Sequence, residues 1–449
     1  MRFNLKRHGI IGGATALILG GLAVLLLGAG GITAWEYSNS NEFCATMCHS
    51  VHPEETRAHG SGPHARVECV ECHMGRISTL HMMALKPTHF KELWGMIVGY
   101  ERPLTSHTFR PSRDNCEGCH WPEVEHHDSI SVKKRYDTDE KSSESVYRLV
   151  LHTGMGTIRD STARGIHWHI ENEVRFITTD PQRREIPWVQ VKGADGKVVT
   201  YVDAESKLSD AELKKFEVRR MECYDCHNQA GHPFRNPEDL VDQAIAGGRI
   251  DRSLPNTKAR AVALIEQATK ITGPHKEMGP KIEKLIADSA PKGETKPELQ
   301  AAEKKFREVM KQILVDSSFS AEGFSWASFP NHAAHKDFPG CFRCHNGKHL
   351  SEEGQSIRLQ CTLCHNLPQV EREVGKGSVP STVAAGLAPP PSHDEPNFMH
   401  DHRTKLDDSC QMCHGKIEWG ADGGSFCSNP ACHGRSWPGM MLVDSPAKK

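Results

Sequence analysis

The longest apolar stretch of the chain lies near its N-terminus. No charged side chain interrupts residues 9–35, and this run exceeds the roughly 20 apolar residues that a helix needs to cross a bilayer. Three basic side chains precede it: Arg2, Lys6 and Arg7. The positive-inside rule therefore predicts a cytoplasmic N-terminus at 1–9, a transmembrane anchor at 10–35 and the rest of the chain beyond the membrane. A cleaved signal peptide is the alternative, although its apolar core usually spans only about 7–15 residues.

A long cysteine-free region in the middle of the chain shows apolar residues at helical spacing. The first predicted helix starts at Asn236-Pro237, an N-cap with a first-turn proline, and stops at Gly247-Gly248. A second is predicted from Asn256 to Ile271. A third begins at the capping box of Thr295 and Glu298. Its apolar face is formed by Leu299, Ala302, Phe306, Val309, Met310 and Ile313.

Strand signals are confined to one region. Residues 186–191 and 198–202 are rich in β-branched and aromatic side chains and flank a Gly-Ala-Asp-Gly turn, which predicts a β-hairpin. Ser209 and Glu212 form a capping box for a short helix that leads into Cys223. The remaining chain is predicted as short helices and loops, so the expected fold class is mainly α with little secondary structure.

The composition of the chain is unusual in its content of cysteine and histidine. The chain of 449 residues has 16 cysteines and 28 histidines, with a net charge of -2 from 55 basic and 57 acidic residues. Nucleic-acid binders usually carry a clear basic excess, so this balance predicts no nucleic-acid partner. All 16 cysteines fall into eight pairs that each end in Cys-His, which leaves none for a structural disulfide.

Six of the pairs follow Cys-x-x-Cys-His, the motif of covalent c-type haem attachment. They are Cys69/Cys72, Cys116/Cys119, Cys223/Cys226, Cys341/Cys344, Cys361/Cys364 and Cys410/Cys413. Two are stretched: Cys44/Cys48 has three intervening residues and Cys427/Cys432 has four. Closed zinc sites can also use two cysteine pairs, but they have no need of a histidine after every pair. The sequence therefore predicts eight haem c groups with their iron, at sites numbered 1 to 8 in chain order.

Each iron also needs axial ligands. The proximal ones are expected to be the motif histidines: His49, His73, His120, His227, His345, His365, His414 and His433. Low-potential haems commonly take a second imidazole, and axial ligands set haem potentials over roughly 0.8 V. The distal candidates are His59, His64, His127, His152, His167, His232, His332, His335, His349, His400 and His402. The sequence alone does not assign these histidines to individual irons.

The motifs form two groups of four, which predicts two tetrahaem modules joined by a helical connector. The expected domains are 36–235, a tetrahaem domain with a β-hairpin insertion, 236–330, the connector, and 331–449, a second tetrahaem domain. Within the last of these, residues 386–392 read Gly-Leu-Ala-Pro-Pro-Pro-Ser, a linker by composition.

The first half of the chain resembles the NapC/NirT/NrfH family of membrane-anchored quinol-oxidising cytochromes. The resemblance rests on the single basic-flanked anchor, Phe43-Cys44 through Cys48-His49-Ser50, the segment 59–73 ending in Cys-Val-Glu-Cys-His, and 221–227 with His232. It covers about residues 1–235. The first motif has an extra residue, and Val51 stands where some members have a methionine, so Met47 and His52 are alternative ligands at site 1. The second half looks like the small tri- and tetrahaem cytochromes.

The resemblance implies oxidation of membrane quinol, here menaquinol, beside site 1. Lys86 and Glu92, in the segment Leu85–Trp94, lie about where family members place a lysine and an acidic residue at the quinol site. Oxidising a quinol releases protons as well as electrons, so a nearby carboxylate is a natural acceptor. The alternative without a function is that both are solvated charges on an interfacial helix. In that case His89 or Lys91 would contribute more to the quinol site than Lys86 and Glu92 do.

The expected function is thus electron transfer from quinol to periplasmic cytochromes, a terminal reductase or extracellular-directed acceptors in anaerobic respiration. The expected location is the cytoplasmic membrane, with one helix spanning the lipid bilayer and the bulk of the chain in the periplasm. The sequence is compatible with an oligomer. A reductase of a small nitrogen or sulfur oxyanion is a different class, disfavoured because all eight motifs end in histidine rather than lysine. The same row of haems working in reverse, to reduce quinone, is a third hypothesis.

Overall fold

The structure is a computed structural model that describes most of the chain up to residue 372. The described residues are 5–49, 53–89, 94–95, 97–99, 111–121, 128–154, 165–193, 195–273, 275–289, 297–358, 363–366 and 369–372.

The N-terminal apolar stretch forms one long helix, α1 (Leu5–Tyr37). Its segment Leu17–Tyr37 has a mean hydropathy of 2.1, and none of it is buried against the rest of the protein. Length and apolarity are sufficient for one membrane crossing. The predicted anchor is therefore present as a helix whose apolar surface is available to lipid.

Short helices carry most of the described cysteine motifs. In the first part of the chain they are α2 (Asn41–Phe43), the π-helix Cys44–Cys48, α3 (Glu54–Gly60), α4 (Cys69–His73), α5 (Thr79–Leu85), the 3₁₀ turn Lys86–His89 and α6 (Ser112–Asn115). Later come α7 (Trp168–Glu171), α8 (Asp210–Leu213), α9 (Cys223–Cys226) and the 3₁₀ turns Trp326–Ser328 and Gly340–Arg343. The predicted capping box of Ser209 and Glu212 is confirmed at the start of α8.

The described part of the chain contains two antiparallel sheets, which is more β-structure than the sequence predicted. The first has the order β1-β2-β8, with β1 (Ser129–Tyr136), β2 (Glu144–Leu151) and β8 (Gln369–Arg372). The second has the order β6-β3-β4-β5-β7, with β3 (Glu173–Ile177), β4 (Trp188–Lys192), β5 (Val198–Asp203), β6 (Arg219–Arg220) and β7 (His349–Leu350). The predicted hairpin is β4–β5, where Gln190 pairs with Thr200. The sequence analysis therefore underestimated the amount of β-structure between residues 129 and 203.

The second sheet is stabilised by burial of one face. Val174 and Phe176 alternate along β3 and pack with Val189 of β4 and with Ile186. Alternation with a period of two is what places every second side chain on the same face of a strand. This small core lies directly behind α7 and the Cys223 motif, with Trp168 and Met221 at its edge.

The predicted connector is a four-helix bundle. Its helices are α10 (Pro237–Ala246), α11 (Thr257–Ala268), α12 (His275–Asp288) and α13 (Pro297–Asp316). The side chain of Asn236 accepts a hydrogen bond from the Glu238 N–H, and Pro237 occupies the first turn, as expected for that N-cap. The Thr295 part of the other predicted capping box lies outside the described residues.

The bundle core confirms the predicted apolar face of α13. Phe306, Met310 and Ile313 are buried against residues of the other three helices, and Tyr136 of β1 joins the same cluster. The bundle is therefore packed on the first sheet, and its role as a connector between two tetrahaem modules stays a prediction.

The C-terminal end of α13 is also fastened to α3, next to the first cysteine motifs. The Arg57 guanidinium donates to the carbonyls of Val315 and Ser318, and the Glu54 carboxylate accepts from the Ser320 N–H. Hydrogen bonds to charged groups contribute about 1.5–3 kcal/mol each. The bundle thus braces the segment between sites 1 and 2.

Candidate functional site

Thiols from neighbouring motifs lie against one another. The Cys44 and Cys69 thiols hydrogen-bond to each other, as do those of Cys116 and Cys223. Burial raises the pKa of the Cys226 thiol to about 11, and the nearby Cys341 adds to this shift. No two of the cysteines whose side chains are described are joined by a disulfide, so their sulfur atoms are available for covalent attachment.

Two further attachment cysteines lie beside identifiable partners. The Cys119 side chain of site 3 is exposed and accepts a hydrogen bond from the Arg76 guanidinium. Cys364 of site 6 is half-buried, and its carbonyl accepts from the His152 N–H at 2.8 Å. Haem attachment at Cys119 and Cys364 stays a prediction from the motifs.

Specific hydrogen bonds hold sites 1, 2 and 3 together. The main-chain N–H of Cys69 donates to Asn41 Oδ1 at 2.8 Å, which ties site 2 to the helix just before site 1. Asn115 Nδ2 donates to the Cys72 carbonyl at 2.9 Å, which ties site 3 to site 2. The order of sites in space therefore follows their order in the chain.

The same kind of bond continues to site 5. The Ser112 N–H, just before site 3, donates to Glu222 Oε2 at 2.9 Å, just before site 4. Arg343 Nη2 of site 5 donates to the Asp225 carbonyl of site 4 at 2.7 Å, although the two residues are 118 positions apart. Arg183 binds the Asp225 carboxylate from the other side. Sites 1 to 5 thus form one continuous row.

Within the described part of the chain, histidine rings face one another in five pairs that each combine one motif histidine with one histidine from elsewhere. Metal–imidazole bonds are about 2 Å long, so two imidazoles on opposite sides of one metal have ring centres about 6 Å apart. The observed separations of the ring centroids are 6.0 Å for His73–His232, 6.1 Å for His64–His120, 6.3 Å for His167–His227, 5.7 Å for His169–His345 and 6.1 Å for His335–His365. These pairs fit an iron between two imidazoles at sites 2, 3, 4, 5 and 6.

Main-chain carbonyls fix the orientation of these rings. Nδ1 of His64, His167 and His232 lies at hydrogen-bond distance from the carbonyls of Ala230, Gly154 and Glu55, respectively, at 3.0, 3.2 and 2.9 Å. A carbonyl oxygen only accepts, so Nδ1 carries the proton and Nε2 is left as the metal ligand.

Burial also keeps several of these rings neutral. It lowers the pKa of His345 to about 4 and that of His335 to about 4, and it lowers the pKa of His169 and His232 as well. A neutral imidazole has the lone pair that a metal needs.

Other distal candidates occupy different positions. His332 directs Nε2 to the Gln182 carbonyl at 2.8 Å, and His349 directs Nε2 to the Ile186 carbonyl at 2.6 Å. His152 contacts Asp128 and Asn366 through its two ring nitrogens. His59 lies beside the site 2 pair, with its ring centroid 6.1 Å from that of His232. The first three therefore do not lie opposite any motif histidine that the structure describes.

Comparison with known proteins is consistent with this arrangement. Residues 8–149 match the NapC/NirT cytochrome c family, N-terminal region. The chain is 36% identical over 348 residues to the cytochrome c-type protein ImcH of Geobacter sulfurreducens (strain ATCC 51573 / DSM 12127 / PCA), covering 77% of this chain and 68% of that protein. The chain belongs to the NapC/NirT cytochrome c family.

A second relative of this NapC/NirT cytochrome is the denitrification system component NirT of Stutzerimonas stutzeri. It is 32% identical over 134 residues, which cover 28% of this chain and 65% of NirT. No solved structure matches the chain. Membership of the family makes the protein a membrane-anchored c-type cytochrome, so its cofactor is haem c.

The membrane-proximal end of this NapC/NirT cytochrome contains Lys86. Its ammonium donates to the Ser38 carbonyl at 3.1 Å and to the Ser38 hydroxyl, and it lies 4.4 Å from the centroid of the Trp35 ring. Burial lowers the pKa of Lys86, and the Cys44 thiol opposes that shift. Lys86 thus lies between the end of α1 and site 1.

Exposed apolar side chains precede and follow Lys86 in the chain. Leu80 and Met83 of α5 are exposed, as are Trp94, Ile97 and Val98 further along the same segment. Exposed apolar side chains of this kind are suited to contact with lipid.

Some predicted site residues lie outside the described part of the chain: Glu92, His127, Cys361, His400, His402, Cys410, Cys413, His414, Cys427, Cys432 and His433. The alternative ligand His52 and the side chain of Cys48 do so as well. One residue was missed by the sequence reasoning, His169, which faces His345. The signal was the pair of histidines two positions apart in His167-Trp168-His169.

Proposed function

We propose that this protein takes electrons from membrane quinol, of the menaquinol type, and passes them outward to periplasmic or extracellular-directed acceptors in anaerobic respiration. When bound, haem c supplies an iron that accepts and releases one electron at a time. The acceptors are expected to be periplasmic cytochromes or a terminal reductase.

The observation that carries the proposal is the row of sites that begins at the membrane helix. Site 1 follows α1 directly, and Asn41 and Asn115 each join one motif to the next. The row then continues through Glu222 and Arg343 to site 5. Electron transfer from one haem to the next requires that successive attachment segments lie side by side, and these hydrogen bonds join them in that order.

The surroundings of Lys86 support entry of electrons at the membrane surface. The ammonium is held between Ser38 and Trp35, where it could donate a hydrogen bond to a quinol oxygen beside site 1. The apolar side chains of Leu80 and Met83 offer a route from the lipid. We propose Glu92 as the acceptor for the proton that quinol releases, because a carboxylate is a suitable general base.

Reduction by a menaquinol analogue in reconstituted vesicles tests this site. We expect Lys86→Met and Glu92→Gln each to slow haem reduction by about 100-fold or more, the lower end of the range for loss of an acid or base group. Haem content and reduction by dithionite should stay at the wild-type level. Lys133→Met, at an exposed position of β1, is the matched control. Wild-type reduction rates in both site variants would show that the quinol site lies elsewhere.

The proposed location of the bulk of the chain is the periplasm, because the basic residues precede α1. Protease added to intact spheroplasts should then degrade the region after residue 37. Complete protection of that region would reverse the orientation.

A further inference from the structure

Two histidines on one short turn face the motif histidines of two different sites. His167 and His169 flank Trp168 at the start of α7. The His167 ring is stacked 6.3 Å from the ring of His227 at site 4, and the His169 ring lies 5.7 Å from the ring of His345 at site 5.

The facing nitrogens of His169 and His345 are 3.5 Å apart. Nδ1 of His169 points at the Ile166 carbonyl at 2.8 Å, and Nδ1 of His345 points at the Arg358 carbonyl at 2.5 Å. Since a carbonyl accepts only, both protons are on Nδ1, and both Nε2 atoms present lone pairs. Two lone pairs do not form a hydrogen bond with each other, so the arrangement calls for a cation between them, and a metal ion satisfies both.

The turn itself is rigidly placed. The Ile166 and His167 N–H groups donate to the carbonyls of His152 and Thr153 at 2.8 and 3.1 Å. Gly165 has φ +90°, and a Cβ there would lie 2.3 Å from the His152 carbonyl oxygen. Only glycine fits this approach, so the backbone fixes where the two imidazoles point.

The two motifs are also in contact. Arg343 Nη2 donates to the Asp225 carbonyl at 2.7 Å. The four helices of the bundle lie between these motifs in the chain, but the turn at His167 joins them directly in space.

We propose that His167-Trp168-His169 supplies the distal ligands of two successive haems, at sites 4 and 5, and is the crossing from the N-terminal haem group to the C-terminal one. This deepens the proposed function, because it identifies where electrons leave the family's membrane-proximal domain. Residues two positions apart have Cα atoms at most about 7 Å apart, so ligands on one turn hold the two sites next to each other.

The experiment is ligand spectroscopy on the oxidised full-length protein in detergent, with no quinol present. We expect His169→Gly to convert one low-spin haem to high spin by electron paramagnetic resonance, and added imidazole to restore the low-spin signal. His167→Gly should do the same to a second, spectroscopically different haem. His81→Gly, an exposed histidine on α5, is the matched control and should leave every signal unchanged.

His169→Met is the second variant, for the case that His169→Gly loses its haem. The methionine sulfur can replace the imidazole as the distal ligand at site 5. This variant should give one haem with a methionine–iron charge-transfer band and a raised potential, because methionine ligation raises haem potentials. An unchanged set of low-spin signals in both His169 variants would overturn the assignment. So would loss of the same haem signal in the His167 and His169 variants. A failure of quinol oxidation would leave these spectra unaltered, so the two proposals are tested separately.

Discussion

Arg343 donates a 2.7 Å hydrogen bond to the main-chain carbonyl of Asp225, so the third residue of one Cys-x-x-Cys motif holds the third residue of another. The same guanidinium donates to the carbonyls of Gly340 and Arg183, at 2.9 and 2.7 Å. One buried side chain therefore satisfies three main-chain acceptors at the meeting point of sites 4 and 5.

Arg343→Met should destabilise the protein strongly. Each buried acceptor that loses its donor costs about 1–3 kcal/mol, so the free energy of unfolding should fall by about 3 kcal/mol or more. Urea unfolding followed by haem absorbance would measure the change. Arg184→Met removes a guanidinium that is 59% exposed and should leave the midpoint nearly unchanged. Equal midpoints for the two variants would contradict the role given to Arg343.

The stability of the first sheet should depend on pH through Glu144. Its carboxylate accepts from the Tyr136 hydroxyl at 2.7 Å and from Lys134 at 3.1 Å. Burial alone would raise the pKa of Glu144, but these hydrogen bonds outweigh burial and lower it. A lowered pKa in the folded state stabilises the protein above the unfolded-state pKa, and this contribution is lost as the pH falls through the folded-state pKa.

Glu144→Gln should therefore be less stable than wild type at pH 7, by up to about 2 kcal/mol for its charged hydrogen bonds. The gap should begin to narrow near the usual glutamate pKa of about 4.3 and should close as the pH falls through the lower folded-state pKa of Glu144. Urea unfolding at pH 7 and pH 4, with the exposed Glu140→Gln as control, measures both values. A gap that widens on acidification would refute the sign of this linkage.

The bundle core should tolerate truncation poorly. Phe306 is only 1% exposed, and Arg260 lies 4.6 Å above its ring centroid. Phe306→Ala should lower the free energy of unfolding by about 3–5 kcal/mol, the range for large buried aromatic residues. Lys304→Ala, on the exposed side of the same helix at 76% exposure, is the control. A loss below about 1 kcal/mol for Phe306→Ala would mean that the bundle core reorganises freely.

The number of haems remains a prediction from the sequence. Eight Cys-Cys-His sites use every cysteine of the chain, so we expect eight haems per polypeptide. A pyridine haemochrome assay combined with intact mass measures this number, and Cys427→Ala/Cys432→Ala should lower it by one. Six or fewer haems in the wild type would show that the stretched sites are not loaded.

Local sequence signals predicted local structure well. The β4–β5 hairpin, the N-cap at Asn236 and the apolar face of α13 each depend on residues within a few positions of one another. Periodicity and turn residues report on such elements because the physical causes are themselves local. The short strands β6 and β7 gave no such signal, since each has two residues and depends on a distant partner.

Pairing of the histidines could not be predicted in the same way. His232 follows the site 4 motif in the chain, yet its ring faces His73 of site 2. His332 and His349 lie near motifs, yet they bind main-chain carbonyls. Which ring faces which iron is decided by tertiary packing, because a histidine next to a motif in sequence can point in any direction.

The order in which the chain is made has a consequence for β5. Its outer edge pairs with β7, and the neighbouring contact of Glu205 with Lys348 spans 143 residues. At roughly 5–20 residues per second, synthesis of the residues between β5 and β7 takes roughly 7 to 30 seconds, and the outer edge of β5 is unpaired during that time. An open edge offers unpaired N–H and C=O groups to any passing strand. The nascent chain is therefore most prone to misassociation during this interval, before the last three of its motifs have been synthesised.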